Sequence, residues 1–383
     1  MVFDQARILS EHGHEVVPFA AADAEDFNSP YSKYFPSAAR TQRTPFREIP
    51  YTLWRPAAGR SLRQLLNDEQ FDIVHLHSWY KRLSPAILPV LKRSGLPIVQ
   101  TLHEYRTVCS RSTMFRQGRI CLKCADGKRL PAIRHRCNGT LAKSIASVIE
   151  MSLADQAGYK SLVSRFLPVS NYQQGLLGRM GIPISQMQTL PNPVGIRTMS
   201  PPSAVQNGPV LFVGRLETYK GVELFADLAR MRPQLKFAMA GDGNARDAIS
   251  AAKLPNLTLL GHLDSETLDH VLLTARCVVI PSLWPEAFGL TAVEAMATGT
   301  PVIASNTGGL SEIIRDGIDG LLAQPGDLDS FVEALDLLVG DTKLATEMGK
   351  HGYDRARSDF SERRYYERLS NIYTEVLDGN VQH

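Results

Sequence analysis

No stretch of this 383-residue chain reaches the roughly 18 consecutive apolar residues expected of a membrane-spanning helix. The opening residues, Met-Val-Phe-Asp-Gln-Ala-Arg7, contain no basic segment followed by an apolar core, so nothing there reads as a secretory leader. Neither sign of charge dominates: 42 Lys and Arg face 39 Asp and Glu, and a formal charge of +3 does not by itself imply a nucleic-acid partner. Internal repeats and low-complexity tracts are absent, which argues against a repeat architecture. These absences point to a cytoplasmic protein, one that could touch a membrane from its inner face.

What is present suits two domains. The chain is too long for one ordinary core, and its 44% hydrophobic residues can fill two. Short apolar runs alternate with helical stretches almost throughout, the pattern of parallel α/β sheets. In the first half, residues 15–19, 72–76, 97–102 and 166–169 read as strands; in the second, 210–213, 236–240, 257–260, 277–280 and 302–304 do. Helices are expected at 3–12, 60–66, 85–93 and 173–180, then at 222–230, 244–252, 266–274, 290–298 and 330–338. The polar, proline-rich and aperiodic stretch 192–208 reads as the linker. Hence a first domain is expected over 1–192, a second over 209–360, and a terminal helical segment over 361–383. That last helix carries Tyr365, Leu369, Ile372 and Tyr373 on one face.

The most specific chemistry lies between Trp284 and Pro301, where Glu286 and Glu294 are separated by seven residues. A buried strand at 277–281 runs into a helix at 290–298, which puts Glu286 on the connecting loop and Glu294 about one turn into the helix. Free backbone N–H groups and the positive end of that helix suit a phosphate group. Two carboxylates beside such a site can hold the hydroxyls of a sugar and a ribose, so a nucleotide-sugar fits. An isolated Glu-x7-Glu would more simply be a favourable helix start.

The surrounding pattern decides otherwise. Pro281-Ser-x-x-x-Glu-x-Phe-Gly-Leu-x-x-x-Glu-Ala-Met-Ala-x-Gly-x-Pro-Val-Ile-Ala304, continuing into Gly308-Gly-Leu-Ser-Glu-Ile-Ile-Arg-Asp-Gly317 and Gly320-Leu-Leu322, resembles the signature of retaining glycosyltransferase family 4. The resemblance implies a GT-B fold, two Rossmann-like α/β domains facing across a cleft, and retaining, metal-independent transfer of a sugar to an acceptor hydroxyl. It further implies that Glu286 binds the transferred sugar, that Phe288, Gly289 and Leu290 offer backbone N–H groups nearby, and that Glu294 binds the ribose. By the same resemblance the terminal helix crosses back onto the first domain. In one respect the chain departs from the family: Leu9-Ser-Glu-His-Gly-His-Glu-Val16 matches a first helix end and second strand, so a strand and a Gly-rich loop are expected to be missing ahead of it.

Val213-Gly-Arg-Leu-Glu-Thr-Tyr-Lys-Gly221 follows the first strand of the second domain. Gly214 permits a tight turn, and Arg215 and Lys220 can reach a common anion. The spacing resembles the family's Gly-Arg…Lys-Gly element, in which both cations hold the donor diphosphate; fixed cations stabilise such a leaving group without a metal. Gly241-Asp-Gly243 has too few glycines for a dinucleotide fingerprint and resembles the family turn lining the nucleotide pocket. The single Asp-x-Asp, Asp327-Leu-Asp329, opens a helix and reads as a cap rather than a metal site.

On the acceptor side, His103 ends the strand at 97–102, at the carboxyl edge where ligands bind. The family has His-Asp or His-Glu here, which makes His103 the candidate for hydrogen-bonding the sugar during transfer; His75 and His77 lie on the preceding strand. Cys109, Cys121, Cys124 and Cys137 form Cys-x11-Cys-x2-Cys-x12-Cys, a spacing that suits a structural zinc better than disulfides. No cofactor is expected for the chemistry itself. The same segment, about 106–143, carries ten Lys or Arg residues and one acidic residue, Asp126. That is either a solvated loop or a patch for anionic lipid headgroups or a lipid-linked acceptor. Few aromatics interleave with the cations, which argues against nucleic acid. A glycan or lipid-linked acceptor is therefore expected, in surface polysaccharide or glycolipid assembly. The alternatives are a nucleotide-sugar epimerase on the same fold and an inactive truncated scaffold.

Overall fold

A computed structural model describes residues 1–22, 29–37, 53–196 and 205–381. Two parallel sheets organise them, one in each half of the chain. Of the expected linker, residues 197–204 lie outside the described residues.

The first half opens with helix α1, Val2–Glu11, and builds its sheet from β1 (Val74–Leu76) and β2 (Ile98–Leu102). A two-stranded antiparallel hairpin, β3 (Phe115–Arg116) and β4 (Arg119–Ile120), interrupts it and leads to the short helix Leu130–Arg134 and to α2, Leu141–Gln156. Strand β5 (Arg165–Pro168) then completes the sheet in the order β1-β2-β5, all parallel. Every residue of the central β2 is buried, as a strand covered on both faces requires. Helix α3, Asn171–Arg179, follows β5 and is capped by Ser170, whose hydroxyl accepts from the Gln173 N–H at 3.1 Å.

One expected strand does not form. Residues 15–19 run without any ladder partner, because among the described residues the sheet ends at β1. A strand exists only by pairing. Val17 and Phe19 instead pack against the first core, and Val16 against the terminal helix, so their side chains leave water without a ladder.

The second half contains β6 (Val210–Val213), β7 (Phe237–Ala240), β8 (Leu257–Gly261), β9 (Cys277–Ile280), β10 (Val302–Ser305) and β11 (Leu321–Ala323). All pair in parallel, in the order β11-β10-β9-β6-β7-β8. The chain therefore builds outward from β6 through β7 to β8, then returns to lay β9, β10 and β11 on the other side. This reversal makes the carboxyl ends of β6 and β9 a topological switch point, where the following loops diverge and leave a crevice. The Gly214 loop follows β6, and the Glu286 loop follows β9 and leads into α4, Leu290–Ala297. Position in the sheet alone brings these two sequence motifs together.

Two details match the sequence closely. Asp327 caps the helix Leu328–Gly340, accepting from the N–H groups of Asp329 and Ser330 at 3.1 and 3.4 Å. Cys277, on the buried β9, has its thiol pushed up to about 12 by burial. The last helix, α5 (Glu362–Val381), lies against the first half: Tyr365, Leu369 and Ile372 share a cluster with Ile8, Leu9, Val99 and Leu167. Burial of each such aliphatic side chain contributes about 1.5–3 kcal/mol, so α5 is a strong tie between the two halves.

Candidate active site

At the switch point the loop from β9 to α4 is held tightly. Gly309 donates its N–H to the Glu286 carbonyl at 2.7 Å. Gly308 has φ +63°, and a Cβ there would overlap the Glu286 backbone, so only glycine admits this approach. The carbonyls on either side of Glu286 accept hydrogen bonds from the other half of the chain. Tyr105 Oη donates to Pro285 O at 3.1 Å, and Ser170 Oγ to Ala287 O at 2.6 Å. Three consecutive carbonyls are thus fixed, and the Glu286 side chain, 10% exposed, is aimed by them.

The Glu286 carboxylate accepts hydrogen bonds from Lys220 Nζ and from Ser282 Oγ, both at 2.6 Å. Lys220 also stands over the Trp284 ring, 5.3 Å from its centre. Trp284 is buried edge-on to Tyr105 and Tyr219, with ring centres 6.3 and 5.6 Å away. Arg215 is exposed and lies 5.7 Å over Tyr219, without an ion pair to Glu286. Its loop is fastened to the neighbouring one: Gly214 N–H bonds Ala240 O at 3.0 Å and Leu216 N–H bonds Asp242 O at 2.9 Å. A Cβ on Gly241 would overlap Gly214 O, which is why the second glycine-rich turn can lie against the first. Phe288 is buried edge-on to Phe360, Gly289 precedes the first residue of α4, Leu290, and Glu294 sits half-buried on the fifth position of that helix.

On and just beyond β1 and β2, three imidazoles stack. His75 and His77 lie 4.7 Å apart and 5° from parallel; His77 and His103 lie 5.2 Å apart and 10° from parallel. His77 Nδ1 and His103 Nε2 share a hydrogen bond of 2.9 Å. His75 is held by Thr101 Oγ1 at 2.8 Å and by Tyr373 Oη of α5 at 2.6 Å. Removal from water, and then the charge of neighbouring groups, lowers all three: His77 to about 3, His103 to about 4, and His75 well below its ordinary value. The stack is therefore neutral at physiological pH, and in the His77–His103 bond one nitrogen donates while the other accepts. His75 and His77, which the spacing had left as secondary, are structural neighbours of His103.

The cysteines behave differently from expectation. Cys109, Cys121, Cys124 and Cys137 are all unpaired and half-buried. Burial first, then the nearness of the other three, pushes the Cys124 thiol up to about 11. Yet among the described residues no three His, Cys, Asp or Glu side chains gather closely enough to hold a metal ion. The four thiols are neighbours, and as placed here they do not make up a metal-holding set.

Sequence reasoning thus named residues that the structure gathers (Glu286, Lys220, the Gly214 and Gly241 turns), together with His103, whose hydrogen bond is to His77. It missed Ser282, although the motif displays that serine four residues before Glu286. It also missed Tyr105 and Ser170, for which no local signal exists because their partners come from the other half of the chain.

Two sheets with a crevice at the strand-order reversal, bridged by hydrogen bonds at a Glu-bearing loop, define a GT-B architecture. Residues 1–193 match the glycosyl transferase 4-like domain and residues 202–355 match glycosyl transferases group 1, and the chain belongs to this glycosyltransferase family. A glycogen synthase of Mycobacterium tuberculosis is 28% identical over 341 residues, covering 85% of this chain and 74% of the relative. Sucrose-phosphate synthase from Thermosynechococcus elongatus superposes with a TM-score of 0.75 at 20% identity, covering 99% of this chain and 93% of the other. Anabaena HepE in complex with UDP-glucose superposes with a TM-score of 0.61 at 17% identity, covering 83% and 82%.

Proposed function

We propose that this chain transfers a sugar from a nucleoside-diphosphate sugar to an acceptor hydroxyl with retention of configuration and without a metal. The observation that carries the reading is the Lys220–Glu286 contact at 2.6 Å, sited where β6 and β9 diverge. An ammonium and a carboxylate so placed suit the two ends of one bond: a diphosphate oxygen taking up charge, and the sugar losing it. The bond between the anomeric carbon and the diphosphate oxygen breaks, its electron pair staying on the diphosphate. Lys220 and Arg215 stabilise that charge. The acceptor oxygen attacks from the same face through an oxocarbenium-like state, and its proton passes to the leaving phosphate. Glu286 orients the sugar hydroxyls, with the Phe288, Gly289 and Leu290 backbone beside it, and Glu294 holds the ribose. His103, kept neutral by its surroundings, offers a hydrogen bond to the sugar from the facing sheet.

Similarity to glycogen synthase, and to HepE bound to UDP-glucose, supports a nucleotide-sugar donor. The acceptor we assign is a glycan or lipid-linked hydroxyl of surface polysaccharide or glycolipid assembly, met at the cytoplasmic face of an anionic membrane. A panel of nucleotide sugars, incubated with this chain and membrane extract, tests the reading. Release of nucleoside diphosphate together with an acceptor-linked sugar of unchanged anomeric configuration is expected. An inverted product, dependence on added divalent metal, or donor turnover without any acceptor would each overturn it.

A further inference from the structure

Helix α2 carries aliphatic side chains on its outer face as well as on its buried one, although a helix covered on one side ordinarily turns polar residues outward. Its inner face, including Val148, Met151 and Ala154, is buried, and Thr140 caps its start, accepting from the Lys143 N–H at 3.2 Å. Its outer face is left partly uncovered by the described residues. Leu141, Ile145 and Ile149 recur every four residues and are 46%, 38% and 41% exposed. The helix Leu130–Arg134 packs along α2 and leaves Leu130 73% exposed. Single exposed apolar residues are ordinary, but a line of them along one helix face marks a surface that meets something.

Charge identifies what it meets. Between Arg106 and Lys143 there are ten Lys or Arg residues against one acidic residue. Two of these cations are used internally: Arg106 is buried in a pair with Glu150, and Arg129 pairs with Asp155 at 2.6 Å. Lys123, Lys128, Arg134, Arg136 and Lys143 are exposed and form no ion pair among the described residues. Aliphatic side chains projecting from a surface rich in unpaired cations make the pattern of an interfacial helix. A second copy of the chain would bring like charges face to face, which disfavours it as the occupant.

We infer that the outer face of α2, with the cations of the 106–143 segment, docks on an anionic lipid bilayer, inserting Leu141, Ile145 and Ile149 at headgroup depth. The location serves the acceptor reading above, on which only this last step rests. The same segment begins directly after Tyr105, whose N–H bonds Ser112 O at 3.1 Å and whose Oη reaches Pro285 O. A hydroxyl acceptor anchored in the bilayer would enter beside that edge.

Co-sedimentation of the full chain with vesicles, without donor or acceptor, tests the inference independently of turnover. Vesicles of phosphatidylcholine with about one-third phosphatidylglycerol should bind it at least about tenfold more tightly than phosphatidylcholine alone, and raised salt should weaken that binding. The variant Leu141→Ser/Ile145→Ser/Ile149→Ser should lose about tenfold or more of this affinity while keeping its melting temperature, since the three residues are exposed. Lys123→Glu/Lys128→Glu should lose binding to anionic vesicles as well. Equal binding to neutral and anionic vesicles, undiminished binding by both variants, or a dimer in sedimentation that the triple variant dissolves would overturn the inference. Calorimetry with a nucleoside diphosphate reports separately on the donor site, so failure of one reading leaves the other measurable.

Discussion

Tyr105, in the first half of the chain, donates its phenolic hydrogen bond at 3.1 Å to the carbonyl of Pro285, the residue immediately before Glu286. With Ser170 bonding Ala287 O, the first domain grips the peptide groups on both sides of the central carboxylate. The position of Glu286 thus depends on both halves of the chain and not on its own loop alone.

Tyr105→Phe keeps the ring packed against Trp284 and removes only the hydroxyl. It leaves a buried carbonyl unsatisfied, a loss of about 1–3 kcal/mol. The turnover number should fall roughly five- to hundredfold, with a smaller change in donor affinity, in steady-state kinetics at varied donor. An unchanged turnover number would show that Glu286 is placed without the first domain.

Glu286→Gln preserves shape while removing the charge that Lys220 and Ser282 address. Transfer should drop by about two to three orders of magnitude, the scale of losing one preorganised electrostatic contact. Lys220→Ala should instead weaken nucleoside diphosphate binding about tenfold or more in calorimetry. If both variants bind and turn over like the parent, the switch-point site is not the donor site.

The histidine stack makes stability depend on pH with a definite sign. An unfolded histidine takes up a proton near 6.5, whereas folded His77 and His103 resist protonation down to about 3 and about 4. Between those limits the unfolded state binds more protons, so stability is full above pH 6.5 and falls steadily as pH drops toward 4. Urea midpoints measured between neutral and mildly acidic pH should decline, and His77→Phe should flatten the decline. An equally steep decline in that variant would assign the effect to other groups.

Arg106 and Glu150 are 2% and 4% exposed, which makes their pair an internal anchor of the cysteine-bearing segment. Arg106→Met leaves the Glu150 carboxylate buried with its charge unmatched and should cost about 3–5 kcal/mol in thermal or urea unfolding. Arg106→Met/Glu150→Leu should recover much of that loss. A single variant as stable as the parent would show that Glu150 finds other partners.

Much of the second domain was legible as sequence. Strands 210–213 and 277–280 end where their apolar runs end, because a buried parallel strand must be apolar on both faces. Gly214, Gly241 and Gly308 are demanded by positive φ, and Asp327 is a local cap. Short strands such as Leu321–Ala323 were visible only as a motif, since three residues show no period. The expected strand at 15–19 failed for the opposite reason: it had strand-like residues but no neighbour to pair with.

Residue identity and spacing by themselves determined the two-domain α/β class, the carboxylate-bearing loop and the cation pair, because these rest on periodicity and turn chemistry within a few positions along the chain. Only the tertiary structure decided that Lys220 meets Glu286, that Tyr105 and Ser170 hold the peptides around it, that the three histidines stack neutral, and that four neighbouring thiols stop short of a metal-holding set. Each of those depends on groups far apart in the chain reaching hydrogen-bonding or stacking distance, and strand order, not local sequence, sets that distance.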